Sequence, residues 1–462
     1  MVAKGTGAVT PRAPFAPGRT PPEDGGQAAA RALRCATVSL PPRTLLPGSR
    51  TIPFATTLTA AAADRPADDM IFALNAEARR RAAAGERIVN ATLGALQGDD
   101  GLLAVMPSVV TALAAVPNRD AAAYAPIAGS PKFLRAVIGD VHSDPALVAA
   151  TVAAATPGGT GALYQAVTNF LEPGQALLTP DYYWGPYHTI ASHAGRRVDT
   201  FPMFTASGSF DTAACGDALR RQIDQQGRAL LFLNSPCHNP TGHSLDAREW
   251  AAIAAHVRRA ATQAPVALLI DLAYARFAGP GAADWTVHVP ELAQHAAVLV
   301  AWSASKSFAM YGARVGALLA THTDAAERSR LANALSYACR ATWSNCNHQG
   351  QLAVAELLLD PARKRQADVE REGLRATLAA RVDAFVREAA KAGLRHPRYE
   401  GGFFVAVFTG DPERCAARMR EDGVFVVPLV TPNGGAVRVA MCSTPVADIP
   451  RLVAALARAV GA

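Results

Sequence analysis

Long apolar runs are missing from this chain of 462 residues. None approaches the length needed to cross a bilayer, so a soluble protein with no membrane partner is expected. Acidic residues are nearly missing from residues 1–50, where Glu23 and Asp24 stand among Pro, Gly, Ala and Arg. Such a stretch has too little apolar surface to bury, and a disordered tail over 1–50 is expected. Its Arg-bearing start would suit an organelle transit peptide. Pro is abundant and Ser sparse there, which favours a dispensable tail or a mis-set start codon in a cytoplasmic protein. Cysteine is sparse: the seven, at positions 35, 215, 237, 339, 346, 415 and 442, show neither metal-ligand spacing nor disulfide density. A reducing compartment and no metal are expected. Charged residues make up only 18%, and the net charge of +7 is spread along alanine-rich helical stretches such as residues 78–84. Solvated helix faces account for that better than a nucleic-acid partner does.

What the chain does have is apolar content, at 50%, and length enough for two domains sharing a large core. Brief strand-like runs alternate with helical patterns, the signature of an α/β fold with a parallel sheet. The chain is organised around Lys306, in Ser303-Ala304-Ser305-Lys306-Ser307 with Tyr311-Gly312-Ala313-Arg314 behind it. Apolar runs at 298–302 and 315–320 read as buried strands on either side. Two cations pinned between buried strands are costly unless they snorkel to solvent or meet something anionic or covalent. Serines beside a reactive amine, with an arginine eight residues on, suit a phosphate next to an aldehyde. Lysine forms Schiff bases, and pyridoxal phosphate carries both groups.

Other segments carry compatible chemistry. Thr156-Pro157-Gly158-Gly159-Thr160-Gly161 opens a helical pattern, and a glycine-rich turn at a helix start offers N–H groups to a phosphate. The strand-like run at 175–179 leads to Tyr182-Tyr183-Trp184-Gly185, where an aromatic ring can stack on a planar cofactor. Asn239-Pro240-Thr241-Gly242 is a turn by its chemistry, with His238 a polar loop residue before it. The run 266–270 delivers Asp271 to a strand end, where a buried carboxylate needs a cation or caps a helix. Arg438 stands inside an apolar strand at 435–440, and a planar guanidinium there fits a carboxylate bidentately.

These motifs together resemble those of class I pyridoxal phosphate-dependent aminotransferases of fold type I, aspartate- and aromatic-aminotransferase-like, in family order from about residue 66 to the end. The resemblance implies a large domain with a mostly parallel seven-stranded sheet plus a smaller α+β domain. It divides the chain into a tail (1–50), an N-terminal arm (51–65), the small domain's first part (66–104), the large cofactor domain (105–371) and the small domain's second part (372–462). It implies a covalent link of the cofactor to Lys306 and a phosphate held by Gly159, Thr160, Gly161, Ser303, Ser305 and Arg314. Asp271 would face the pyridine nitrogen, Asn239 and Tyr274 the phenolic oxygen, and Trp184 (or Tyr183) the ring. Tyr187 stands where the family often has histidine, and Gly158 where the aspartate enzymes commonly have serine. On the substrate side the resemblance implies Arg438 for the α-carboxylate and Gly94 for close backbone approach. Across a homodimer with shared active sites, Tyr124 would reach the neighbouring cofactor phosphate, and Arg340, in a loop after a helix ending at Cys339, the distal carboxylate of a dicarboxylic substrate.

The implied reaction is transamination between an L-amino acid, dicarboxylic or aromatic, and a 2-oxo acid such as 2-oxoglutarate. Lys306, Asp271 and Tyr274 are its candidate catalytic residues. The same scaffold also supports β-decarboxylase, lyase and synthase chemistry. A non-catalytic cofactor-binding regulator is the third reading, which the Pro/Gly-rich first 65 residues disfavour as a DNA-binding module.

Overall fold

The computed structural model describes residues 56–66, 70–279, 281, 283–399 and 401–461. The expected tail over 1–50, and residues 51–55 of the expected arm, lie outside the described residues. The described residues up to Arg65 and those from Pro66 onward belong to two separate units. In the first, the described residues hold one short helix, Ala60–Ala63.

The second unit carries twelve strands among its described residues. In chain order they are β1 (Val89–Asn90), β2 (Thr151–Pro157), β3 (Ala176–Pro180), β4 (Arg197–Phe201), β5 (Ala229–Asn234), β6 (Val266–Asp271), β7 (Ala297–Ser303) and β8 (Val315–Thr321). After these come β9 (Phe404–Phe408), β10 (Val424–Phe425), β11 (Val427–Thr431) and β12 (Gly434–Ala440). A seven-stranded sheet has the order β2-β8-β7-β6-β5-β3-β4. Its pairs are parallel except the two that β8 makes, so β8 alone runs backwards in this sheet. The expected mostly parallel α/β sheet is what forms.

Strands buried on both faces send successive side chains to opposite cores. Leu231 and Leu233 of β5 pack with Ile253 and Val257 of helix Ala247–Ala261. Leu230 and Phe232 go the other way, to Leu163 of helix Gly158–Phe170 and Leu335 of helix Ala325–Thr342. A third core surrounds the antiparallel sheet β11-β12-β9 and joins Val89 and Leu96 to Phe385, Leu452 and Leu456. Chain segments far apart in sequence therefore share one apolar cluster.

Element ends differ from expectation in several places. β9 begins only at Phe404, because Gly402 turns at φ 89° against Cys237. The apolar run from Val424 divides into two strands: β10 pairs with β1 and β11 with β12. The helix expected to end at Cys339 runs on to Thr342, so Arg340 lies in its last turn rather than in a loop. One helix of 31 residues, Pro361–Lys391, spans the expected boundary between 371 and 372.

Candidate active site

β8 reverses direction, and so its first residue arrives where its neighbours end: Val315 pairs with Pro157 and Gly316 with Ser303. In an open α/β sheet, ligands sit in the crevice beyond the carboxyl ends of the strands. A cavity of about 200 Å³ lies at that edge. It takes Gly159 and Thr160 from the end of β2, Asn234 and Asn239 from β5, Asp271, Ala273 and Tyr274 from β6, and Ser303, Ser305 and Lys306 from β7. Arg314 enters from the start of β8 and Trp184 from the loop after β3.

Lys306 stands on the four-residue helix Ala304–Ser307, capped by the Ser303 side chain, which accepts from the Ser305 N–H at 3.2 Å. Its Nζ lies 5.4 Å from the Tyr274 ring centroid. Burial lowers the lysine pKa and the Arg314 cation adds to this, while Asp271 and Cys442 oppose it. A lysine pushed toward the neutral amine is a better nucleophile and base.

Asp271, the last residue of β6, is buried. Its Oδ2 accepts from the Tyr187 hydroxyl at 2.9 Å and its Oδ1 from the Ala273 N–H at 3.0 Å. Burial raises its pKa, against the pull of these two donors and of Lys306. It does not cap a helix, since the short turn Ala275–Phe277 starts from Tyr274. Sequence reasoning missed Asn234, although a polar residue closing a buried strand is a legible signal. Its Nδ2 donates to the Asp271 carbonyl at 2.8 Å and its Oδ1 accepts from the Asn239 N–H at 2.7 Å. That one amide fixes two strand ends relative to each other. Asn239 then donates to the Tyr274 hydroxyl at 3.3 Å. His238 beside it is a loop residue, as expected, but a buried one: its Nδ1 is hydrogen-bonded to the Thr241 hydroxyl at 2.9 Å, and burial pushes its pKa down to about 3.

At the other end, Gly158 (φ 71°) starts helix Gly158–Phe170, with Gly159 and Thr160 in the first turn. Arg314, itself at φ 53°, donates to Ser305 Oγ at 3.3 Å, the Tyr311 carbonyl at 2.9 Å and the Pro157 carbonyl at 3.4 Å. A Cβ on residue 158 would lie 2.5 Å from its Nη2, so glycine is what admits the guanidinium here. Gly161 is buried in packing: a Cβ there would meet Pro157 Cδ at 2.5 Å.

A second cavity of about 270 Å³ shares Trp184 and Asn239 with the first and adds Arg438 and Tyr183. Arg438 is buried; it donates to Asn239 Oδ1 at 3.4 Å and the Thr92 carbonyl at 2.5 Å, over the Phe404 ring. Tyr183 stacks on Tyr187 with ring planes 13° apart, so Trp184 is the aromatic of the pair that reaches the first cavity. Gly94 lines neither cavity: a Cβ there would sit 2.6 Å from Phe404 Cζ, so the glycine lets the chain pass that ring. Tyr124 is 88% exposed and Arg340 is exposed, its Nη1 donating to Ser344 Oγ at 2.7 Å. This chain brings neither of them to its own cavities.

Residues 86–456 match the family model for class I and II aminotransferases. The chain belongs to that family. It is 34% identical over 284 residues to an aromatic-amino-acid aminotransferase of Pseudomonas aeruginosa, covering 59% of this chain and 68% of the relative. Against the aromatic-amino-acid aminotransferase of Paracoccus denitrificans it is 30% identical, covering 66% and 77%. Among solved structures, an aminotransferase from Anaerococcus prevotii superposes with a TM-score of 0.81 at 30% identity, over 88% of this chain and all of that one (100%). An aromatic-amino-acid aminotransferase from Burkholderia pseudomallei, covalently bound to pyridoxal phosphate, gives 0.71 at 25%, over 87% and 100%. As a fold type I aminotransferase, the chain performs transamination.

Proposed function

We propose that this aminotransferase uses the Lys306 cavity for pyridoxal phosphate and the Arg438 cavity for an L-amino acid, dicarboxylic or aromatic, and its 2-oxo acid partner. The observation that carries this is the donor set around one opening: a lysine biased toward its free amine, a buried carboxylate in front of it, and an arginine at a helix start behind it. Aldehyde, protonated pyridine and phosphate are the three groups such a set fits. Lys306 would hold the aldehyde, Asp271 the pyridine nitrogen, and Asn239 and Tyr274 the phenolic oxygen. Gly159, Thr160, Ser303, Ser305 and Arg314 would hold the phosphate, with Trp184 on the ring.

When bound, the cofactor supplies an electron sink for charge developing at the substrate α-carbon. The protein's own steps are positional and protonic. Arg438 clamps the α-carboxylate and orients the α-carbon toward Lys306. Lys306 Nζ takes the α-proton and holds it for return. The Tyr187 hydroxyl and the Ala273 N–H favour the ionised form of Asp271 against the burial that raises its pKa, the form that would face a protonated pyridine nitrogen.

We infer a homodimer in which Tyr124 and Arg340 complete the neighbour's site; their exposure, with neither lining this chain's own two cavities, supports that reading. The division into a large domain over 105–371 and a small one from 66–104 and 372–462 is our reading as well, with helix Pro361–Lys391 shared by both. The six cysteines among the described residues are free thiols, which supports a cytoplasmic setting. The test is a screen of amino donors and 2-oxo acid acceptors followed by cofactor absorbance. Release of carbon dioxide, or of ammonia without a need for an acceptor, would instead favour decarboxylase or lyase chemistry.

A further inference from the structure

The second cavity is walled on one side by the hairpin of β11 and β12, whose turn folds back onto the loop after β3. Asn433 Nδ2 donates to Asp181 Oδ2 at 3.0 Å. Asp181 is buried and its other oxygen accepts from the Tyr182 and Met203 N–H groups at 3.0 and 2.9 Å, so it is a fixed seat for the turn. Tyr182 packs edge-on against Phe408 of β9 on the same three-stranded sheet, ring centroids 6.2 Å apart.

Register ties this wall to the substrate arginine. Arg438 is the direct partner of Val427, and paired residues of an antiparallel ladder share a face. Leu429 lies two residues along, on that same face, about 7 Å away. A molecule held by its carboxylate at Arg438 therefore presents its side chain along Val427 and Leu429. Apolar groups dominate this direction: Leu429 and Val427 from the hairpin, Met70 and Ile71 from helix Met70–Ala83, and Tyr183 opposite. Arg438 is the one cation lining the cavity among the described residues, and Asp181 is its carboxylate. A distal carboxylate on the substrate would face Asp181 of this chain, and a positive charge for it would have to come from Arg340 of a second copy.

We propose that the β11–β12 hairpin reads the substrate side chain, with Leu429 as its contact and the Asn433–Asp181 bond as its latch, and that it selects aryl or long aliphatic amino acids. This rests on the transamination reading of the same site. Because carboxylate clamp and side-chain wall are neighbours on one ladder, a side chain that fits the wall also sets the angle of the α-carbon. Leu429→Trp shortens the cavity, whereas Asn433→Asp sets a second carboxylate against Asp181 from an exposed turn that the core does not depend on.

The experiment measures the ratio of specificity constants for phenylalanine and alanine with the holoenzyme and both variants. A ratio lowered about tenfold or more in Leu429→Trp, and by a smaller factor in Asn433→Asp, supports the hairpin as reader. An unchanged ratio in both overturns it, and Asn433→Asp keeps that outcome reachable should Leu429→Trp fail to fold. A non-reacting arm titrates wild type with 3-phenylpropanoate and with succinate by calorimetry. Tighter 3-phenylpropanoate binding supports the proposal; tighter succinate binding overturns it and shifts side-chain selection to Arg340 of a second copy. Absence of turnover with every donor, alongside normal 3-phenylpropanoate binding, would instead count against transamination and leave the reader standing.

Discussion

The two cavities share Trp184 and Asn239 but are built differently. The Lys306 cavity is assembled at the edge of one sheet: each side chain sits at or just past a strand end, and strand pairing fixes the strand ends to each other. The Arg438 cavity is assembled between that edge and a three-stranded sheet with its own core, closed by a hairpin, a loop and the start of a helix. The first is a site whose geometry the scaffold sets rigidly, as chemistry at a single atom requires. The second has walls on separate elements that can change independently of the first. Constant chemistry with variable substrate choice follows from that division.

Four measurements would break or sharpen this contrast. The largest effect belongs to the first cavity: Lys306→Ala should lower turnover on the order of 10⁴-fold with every donor, since it removes the side chain we propose as the base for the α-proton. Borohydride reduction and peptide mapping of wild type should label Lys306, and label on another lysine ends the assignment. Next, Arg438→Ala should cost about 2–5 kcal/mol, or roughly 30- to several-thousand-fold in kcat/KM, for all donors alike. A loss confined to one donor class would mean that Arg438 reads side chains and that the two cavities are not divided as described.

The third measurement concerns Tyr187. Its hydroxyl donates to the ionised form of Asp271 and so opposes the burial that raises the carboxyl pKa. Tyr187→Phe removes a bond that favours the charged form, so the Asp271 pKa must rise further. The acid limb of activity should move to higher pH, with a loss of about tenfold at neutral pH, the scale of an unpaired buried acceptor. The same shift should show in the pH dependence of cofactor binding. An unmoved acid limb would make the tyrosine a packing residue. The smallest effect is selective: Arg340→Ala should weaken aspartate and 2-oxoglutarate about tenfold or more while sparing phenylalanine. Equal loss on both would show a structural arginine, and a fully active monomer in sedimentation would remove its route into the neighbour's site.

The first cavity was largely legible in the sequence because its signals are local. A buried apolar run that ends on Asp271, or on Ser303 before Lys306, announces a polar group at a strand end. Asn234 closes β5 with the same signal. Tyr187 was noticed as a departure, but its bond to Asp271 joins a helix to a strand 84 positions away and no local pattern encodes it. The second cavity was less legible for the same reason. Arg438 stands out as a cation in an apolar strand, whereas the seat of Asn433 on Asp181 spans 252 positions. Gly94 was assigned to the substrate, yet its constraint is the Phe404 ring, which sequence does not place. Helix Pro361–Lys391 starts at a cap, Asp360, which accepts from the Ala362 and Arg363 N–H groups, with proline in the first turn. Its charged first turns lack the apolar rhythm by which a helix is usually recognised.

The reversed strand β8 has a consequence for the order of folding. β7 and β8 form an antiparallel pair on a short connection, so the segment carrying Lys306 and Arg314 closes at low entropic cost. β2 must find β8 across far more chain before Gly159 and Thr160 join them. Local pairings form early and distant ones late, so we expect the covalent anchor to exist before the phosphate seat is complete. The nascent chain would then acquire high cofactor affinity only at a late stage of folding. Pulse-labelled hydrogen exchange would show residues 297–321 protected ahead of 151–157, and the reverse order would refute that sequence of events.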